Sequence, residues 1–325
     1  MSDKFLDIKD LYVEYTSGGK IVKAVNGVSL SLDQGETLGL VGETGAGKTT
    51  IAKAILRILP DPPAKIKSGE IWFEGQDMLK LHNRDMLKIR GNKIAMIFQD
   101  PMTALNPTMT VGNQIAEVIQ LHNDVSNKEA VERAVEMLET VGIPSMRFME
   151  YPHQFSGGMK QRVVIAMALA CDPALLLADE PTTALDVTIQ AQVLEMMMDL
   201  KKKLNTSMIL ITHDLGVVAE TCDKVAVIYA GKIVESGTKD HIFRNPLHPY
   251  TIGLFGALPK LNDDSKRLSP ILGLPPDPTR LPEGCSFNPR CNKACDACKV
   301  NGCDEMIEVE PGHFVRCFQC GKEGN

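Results

Sequence analysis

One short stretch carries the clearest chemistry in the chain: Gly42-Glu43-Thr44-Gly45-Ala46-Gly47-Lys48-Thr49, with Thr50 directly behind it. This is the spacing of a phosphate-binding loop. Its glycines let backbone N–H groups close around phosphate oxygens, and the helix that follows turns its positive end toward them. In that geometry Lys48 reaches the β- and γ-phosphates of a nucleotide, and the Thr49 hydroxyl holds Mg²⁺. A glycine-rich turn without that task would not need a strand before it and a helix after it. Here Thr37-Leu38-Gly39-Leu40-Val41 reads as a buried strand. Residues 48–59 read as a helix with Ile51, Ile55 and Ile58 on one face, stopped by Pro60.

A phosphate loop alone does not choose between kinase, GTPase and transport ATPase. A second site does. The apolar run Leu175-Leu176-Leu177-Ala178 ends in Asp179-Glu180, which puts two carboxylates at the mouth of a core strand. Asp179 suits Mg²⁺, through its waters, and Glu180 suits polarising an attacking water. Such assistance is typically worth ~10²–10⁴ in rate. An exposed acidic turn would not follow four apolar residues.

The chain has nine cysteines; Cys171 and Cys222 stand apart and seven lie between Cys285 and Cys320. In a reducing compartment such clustering reads as a metal site before it reads as disulfides. From spacing alone, Cys295 and Cys298 with Cys317 and Cys320 fit a four-thiolate Zn²⁺ site.

These residues need a scaffold. The first 240 residues alternate apolar runs with helical patterns, as an α/β domain does. Val28, Leu30 and Leu32 alternate with serines as an early strand would, and residues 94–98 form a second buried strand ending at Gln99. Ser126 and Glu129 make a capping-box pattern opening a helix that ends near Gly142. Residues 208–211 read as a further core strand, preceded by a long helix over residues 187–204. Residues 225–229 turn at Ala230-Gly231 into a hairpin. From about Asn245 prolines accumulate and apolar periodicity fades, so a boundary near residue 240 and a compact tail folded around its cysteines are expected.

The 325 residues are 44% hydrophobic with a net charge of −6, which argues against nucleic-acid binding as the main task. Lys201-Lys202-Lys203 reads as a solvated helix end. The longest apolar run, residues 163–171, is too short to cross a bilayer. Met1-Ser2-Asp3-Lys4 lacks the pattern of a signal peptide, which predicts a cytosolic protein reaching membranes only through partners.

The combined motifs resemble the ATP-binding cassette (ABC) family. Phe155-Ser156-Gly157-Gly158-Met159-Lys160-Gln161-Arg162 looks like its signature, Gln99 its Q-loop, Ala184-Leu185-Asp186 its D-loop, and Thr212-His213-Asp214 its switch histidine. The resemblance implies an α/β P-loop nucleotide-binding domain over residues 1–240, with a helical subdomain at about 100–165. It also implies a small cysteine-rich C-terminal domain over 241–325. It further implies two chains packed head to tail, each ATP lying between one chain's phosphate loop and the other's Ser156, Gly157 and Gly158. Gln99 would touch metal or water, His213 the γ-phosphate, and Tyr15 would stack on adenine, where otherwise it is an ordinary strand aromatic.

Residues 179–192, Asn245-Pro246-Leu247-His248-Pro249-Tyr250-Thr251 and Gly284-Cys285-Ser286-Phe287-Asn288-Pro289-Arg290-Cys291 are similar to the ATPases of oligopeptide, dipeptide and nickel importers. That likeness implies an ATP-hydrolysing importer subunit, for peptides ahead of nickel. It would sit at the cytoplasmic face of the membrane beneath two permeases fed by an external solute-binding protein, as a homo- or heterodimer. It also implies that Cys285, Cys291, Cys298 and Cys317 hold a [4Fe–4S] cluster, structural rather than redox-active. The extra Cys295, Cys303 and Cys320 depart from that pattern and keep the Zn²⁺ reading open. A soluble ABC protein acting on nucleic acid would carry fused cassettes or a coiled-coil insertion. An inactive subunit would have lost Lys48, Asp179, Glu180 or His213.

Overall fold

The computed structural model describes residues 4–183, 185–256, 271–300 and 305–317. Ala184 of the D-loop, Cys303 and Cys320 lie outside the described residues. The chain divides into two compact units, one of Met1–Leu32, Leu38–Leu79 and His213–Asn325, the other of Asp33–Thr37 and Lys80–Thr212.

The first unit opens with strands Leu6–Ser17 and Lys20–Leu32, which pair antiparallel, and Leu6–Ser17 also pairs with Ala64–Phe73. Alternate residues Leu6, Ile8, Leu11 and Val13 are fully buried, shifting phase once where Asp10 takes a left-handed φ of 45°. That break in period explains why the strand was not evident in the sequence. A second set of strands runs in the order Ile307–Glu310, His313–Val315, Lys232–Thr238, Lys224–Tyr229, Thr37–Val41. Thr37–Val41 is buried at every residue and lies parallel to Lys224–Tyr229. The expected hairpin after Tyr229 forms, with Ala230 and Gly231 at φ 48° and 77° as a two-residue turn demands. The helix expected over 48–59 spans only Lys48–Ile55, because Arg57 turns left-handed at φ 52° and donates to the Met78 carbonyl.

The tail expected from about Asn245 clusters with the first unit. Strand His313–Val315 pairs with Lys232–Thr238, so the C-terminal segment extends an existing sheet. Buried side chains hold it there. Glu235, wholly buried, accepts the N–H groups of Leu247 and His248 at 2.8 and 2.9 Å and lies 2.9 Å from His313 Nε2.

The second unit is a parallel three-stranded sheet, Ser207–Thr212, Leu175–Asp179, Ile94–Ile97, with helices Val111–His122, Asn127–Thr140, Gly157–Leu169 and Val187–Leu204. Continuous apolar runs such as Leu175-Leu176-Leu177 are what a parallel strand buried on both faces requires. Ser126 caps its helix by accepting from Glu129 N–H, while the Glu129 carboxylate turns to Arg133 at 2.6 Å. Lys201 corrects the reading of a solvated helix end: it is buried and donates to the Gly35 carbonyl.

Candidate functional site

The phosphate loop lies in the first unit, between strand Thr37–Val41 and helix Lys48–Ile55. Two of its glycines are there for space. A Cβ on Gly42 would collide with the Ile228 carbonyl on the neighbouring strand. A Cβ on Gly47 would strike the Ala24 carbonyl, and Gly47 also sits at φ 104°. The hairpin turn braces the loop from below, Gly231 N–H donating to the Ala46 carbonyl at 3.0 Å. Lys48, 7% exposed, curls over the loop, and its ammonium donates to the carbonyls of Gly42 and Glu43 at 2.7 and 3.1 Å. Thr49 and Thr50 form the first helical turn, and Tyr15 Oη lies 3.4 Å from Thr50 Oγ1. Tyr15 is thus a half-buried ring beside that turn. His213, exposed, follows the end of strand Ser207–Thr212, and its neighbour Asp214 caps helix Leu215–Thr221.

The second unit carries the acidic half. Asp179 ends its strand at 3% exposure. Glu180 follows at φ 47°, a left-handed conformation that costs a non-glycine residue of order 1–3 kcal/mol and clusters at functional sites. Its N–H donates to the Ile211 carbonyl at 2.8 Å, which fixes the turn. Its carboxylate accepts from Gln99 Nε2 and from Thr183 Oγ1, both at 3.0 Å. Gln99 and Glu180, far apart in sequence, are therefore brought into contact.

The signature is the exposed N-terminus of helix Gly157–Leu169. Ser156 is its N-cap and accepts from Met159 N–H at 3.4 Å. A Cβ on Gly158 would meet the Ile189 side chain at 2.6 Å, whereas Gly157 is open. Buried Phe155, with the Arg147 guanidinium 4.4 Å over its ring, anchors the turn. A helix start with free-facing N–H groups attracts anions.

Cys285, Cys291, Cys298 and Cys317 all line one small cavity, together with His248 and Phe287. Burial pushes the thiols of Cys285, Cys291 and Cys298 up from the ordinary cysteine value. Cys295 Sγ lies 3.4 Å from Cys298 Sγ. Among the described residues no three histidine, cysteine or acidic side chains stand close enough to hold a metal ion. The sequence reading missed two residues at the phosphate loop, Tyr250 and Arg290, both of which contact Glu43. The signal for them was only their place in the tail's Pro-Tyr and Asn-Pro-Arg-Cys stretches.

A strand–glycine loop–helix unit, an acidic strand end and a helix-borne Ser-Gly-Gly define a nucleotide-hydrolysing cassette. The family description "ABC transporter" matches residues 25–183, and "Oligopeptide/dipeptide transporter, C-terminal region" matches residues 234–298. The oligopeptide transport ATP-binding protein OppD of Bacillus subtilis is 53% identical over 320 residues, 97% of this chain and 88% of that protein. The dipeptide transport ATP-binding protein DppD of the same organism is 50% identical over 318 residues, 97% of this chain and 95% of that one. A solved dimeric ATP-binding cassette in a post-hydrolysis state, bound to ADP and phosphate, superposes with a TM-score of 0.65 at 27% identity, covering 72% of this chain and 98% of that one. The chain belongs to the ATP-binding cassette family of transport ATPases, in the branch that carries the oligopeptide/dipeptide C-terminal region.

Proposed function

We propose that this chain binds and hydrolyses MgATP to drive import of oligopeptides or dipeptides. The observation that carries the reading is Glu180, strained at φ 47° and held by Gln99 at the end of the Asp179 strand. In this reading Lys48 and the N–H groups of residues 42–50 bind the phosphates, and Tyr15 stacks on adenine. Thr49, Asp179 and Gln99 are the residues that would hold Mg²⁺, which would offset phosphate charge. Glu180 takes the proton of the attacking water, and His213 steadies the γ-phosphate. The peptide cargo is supported by the names and C-terminal regions of the relatives.

Ser156, Gly157 and Gly158 act on the γ-phosphate of a second chain, a role supported by their exposed helix start and by the dimeric cassette that shares the fold. No helix among the described residues is long and apolar enough to cross a membrane. On the family likeness we assign the transport path to two permeases fed by a solute-binding protein. Supporting a permease contact, the second unit has an apolar groove of ≈ 470 Å³ lined by Met96, Phe98, Ala104, Val118, Val164 and Met167. We read the chain as a cassette over 1–240 and a C-terminal region over 241–325, bound peripherally at the cytoplasmic face.

Cys285, Cys291, Cys298 and Cys317 match a [4Fe–4S] cluster in donor type and number, though not in spacing as they stand; Zn²⁺ on Cys295, Cys298, Cys317 and Cys320 is the alternative. Bound, the group would tie loop residues together through thiolate bonds. Anaerobically purified protein should contain about four irons per chain, lost on Cys291→Ser. One zinc per chain would establish the alternative. The ATPase reading is tested by Glu180→Gln. MgATP should still bind while turnover falls by ~10²–10⁴, and turnover at the wild-type rate would overturn it.

A further inference from the structure

Glu43, the second residue of the phosphate loop, is gripped by two residues that lie more than 200 positions away in sequence. Its carboxylate receives a fork of hydrogen bonds from Arg290, Nη1 to Oε2 at 2.7 Å and Nη2 to Oε1 at 2.9 Å. Its backbone N–H donates to Tyr250 Oη at 2.9 Å. The Arg290 side chain is 5% exposed and that of Glu43 26%, so the pair is half-buried. A forked, charge-assisted pair is roughly twice as strong as a neutral hydrogen bond and fixes orientation as well.

Arg290 is itself held in place. Its Nε donates to the Leu272 carbonyl at 3.1 Å, and Nη1 lies 3.3 Å from Tyr229 Oη. Tyr250, wholly buried, packs against Tyr229 and Phe287 with ring centroids 4.6 and 5.4 Å apart. Arg290 closes the short turn Asn288–Arg290, and the next residue is Cys291. The Glu43 carboxylate holds the Arg290 guanidinium well above its ordinary value, so the charge persists at every working pH.

A half-buried ion pair is weak evidence for stability, but a forked one adds geometric specificity. Here the geometry fixed is the entry to a loop whose N–H groups must converge on phosphate. We propose that Arg290 and Tyr250 are positioning residues of the nucleotide site, holding Glu43 by carboxylate and N–H so that the loop keeps its phosphate-receiving shape. The C-terminal segment is then a working part of the ATP site. This rests on reading the loop as that site.

The test is calorimetric titration of full-length protein with MgADP, alongside steady-state ATP hydrolysis. Arg290→Ala and Glu43→Gln should each weaken MgADP binding about tenfold, or about 1.4 kcal/mol. The double variant should be no weaker than the worse single, since either change already dissolves the pair. Arg290→Lys should recover part of the loss, Tyr250→Phe should cost about threefold, and KM for ATP should rise more than kcat falls. Should Arg290→Ala fail to fold, Glu43→Gln and Tyr250→Phe carry the same expectation. Lys48→Ala separates the two readings. If it abolishes binding while the Arg290 and Glu43 variants bind as wild type, or lower only the melting temperature, the positioning role is overturned. Additive losses in the double variant would overturn it too. If Lys48→Ala binds MgADP normally, the ATP-site reading itself has failed.

Discussion

The phosphate loop and the cysteine-bearing segment share one compact unit, yet they are built in opposite ways. The loop is contiguous: its shape comes from backbone turns at glycine, and Lys48 closes over it from within. The segment gathers Cys285, Cys291, Cys298 and Cys317 around one cavity by means of side chains fixed elsewhere. Glu235 anchors it on one side, and Tyr250 and Arg290 on the other. A loop made of backbone turns takes its shape from its glycines and is steadied from outside at Glu43 and Ala46. A segment hung on a few buried polar side chains is most sensitive at the one that serves the most partners, Glu235.

The strongest way to break this contrast is Glu235→Ala. Its buried carboxylate serves three donors, Leu247 N–H, His248 N–H and His313 Nε2. Removing one partner of such a buried cluster costs roughly 3–5 kcal/mol. Denaturant titration should show that loss, with protease cleaving first after residue 245. A change below about 1 kcal/mol would show that the tail is held some other way.

Gly47→Ala probes the loop itself. The added Cβ meets the Ala24 carbonyl, and φ 104° strains any L side chain, at a cost of order 1–3 kcal/mol. MgADP binding should fall by roughly that amount, ~10–100-fold, while the Cys291 environment is unchanged. Wild-type affinity in this variant would mean that the loop is looser than its packing indicates.

The same contrast governs what could be read in advance. The loop, the Asp179–Glu180 strand end and the 187–204 helix were legible because residue type, period and function coincide over a few adjacent positions. The Gln99–Glu180 contact was not expected: family likeness put Gln99 at metal or water, and no local pattern links residues 81 apart. The clamp on Glu43 was not legible, although both of its residues lie in stretches that carried the family likeness. Arg290 and Tyr250 look like any polar-tipped side chains in a proline-rich stretch, and only the fold brings them to residue 43. The strand Leu6–Ser17 was obscured by its own irregularity at Asp10, and the buried Lys201 by its company of two further lysines.

The smallest expected effect sharpens the comparison through pH. His248 is 1% exposed, accepts the Tyr250 N–H at Nδ1 (3.1 Å), and burial lowers its pKa from 6.5 to about 3. Folded, the ring stays neutral through the mildly acidic range; unfolded, it takes up a proton below pH 6.5. The unfolded state therefore binds more protons between pH 6.5 and about 3, and stability falls as pH drops through that window. One such group contributes a slope approaching ~1.4 kcal/mol per pH unit, and none above pH 7. His248→Asn keeps an acceptor for the Tyr250 N–H but cannot be protonated. Between pH 6.5 and 5 the variant should lose less stability than wild type by about that slope, read from urea midpoints at half-unit steps. Because the folded ring stays neutral over that interval, His248 should leave MgADP affinity unchanged there in both proteins, so that the effect is confined to stability. Parallel stability profiles for the two proteins would mean that the folded His248 ring takes up a proton as readily as the unfolded one, and that burial does not hold it neutral.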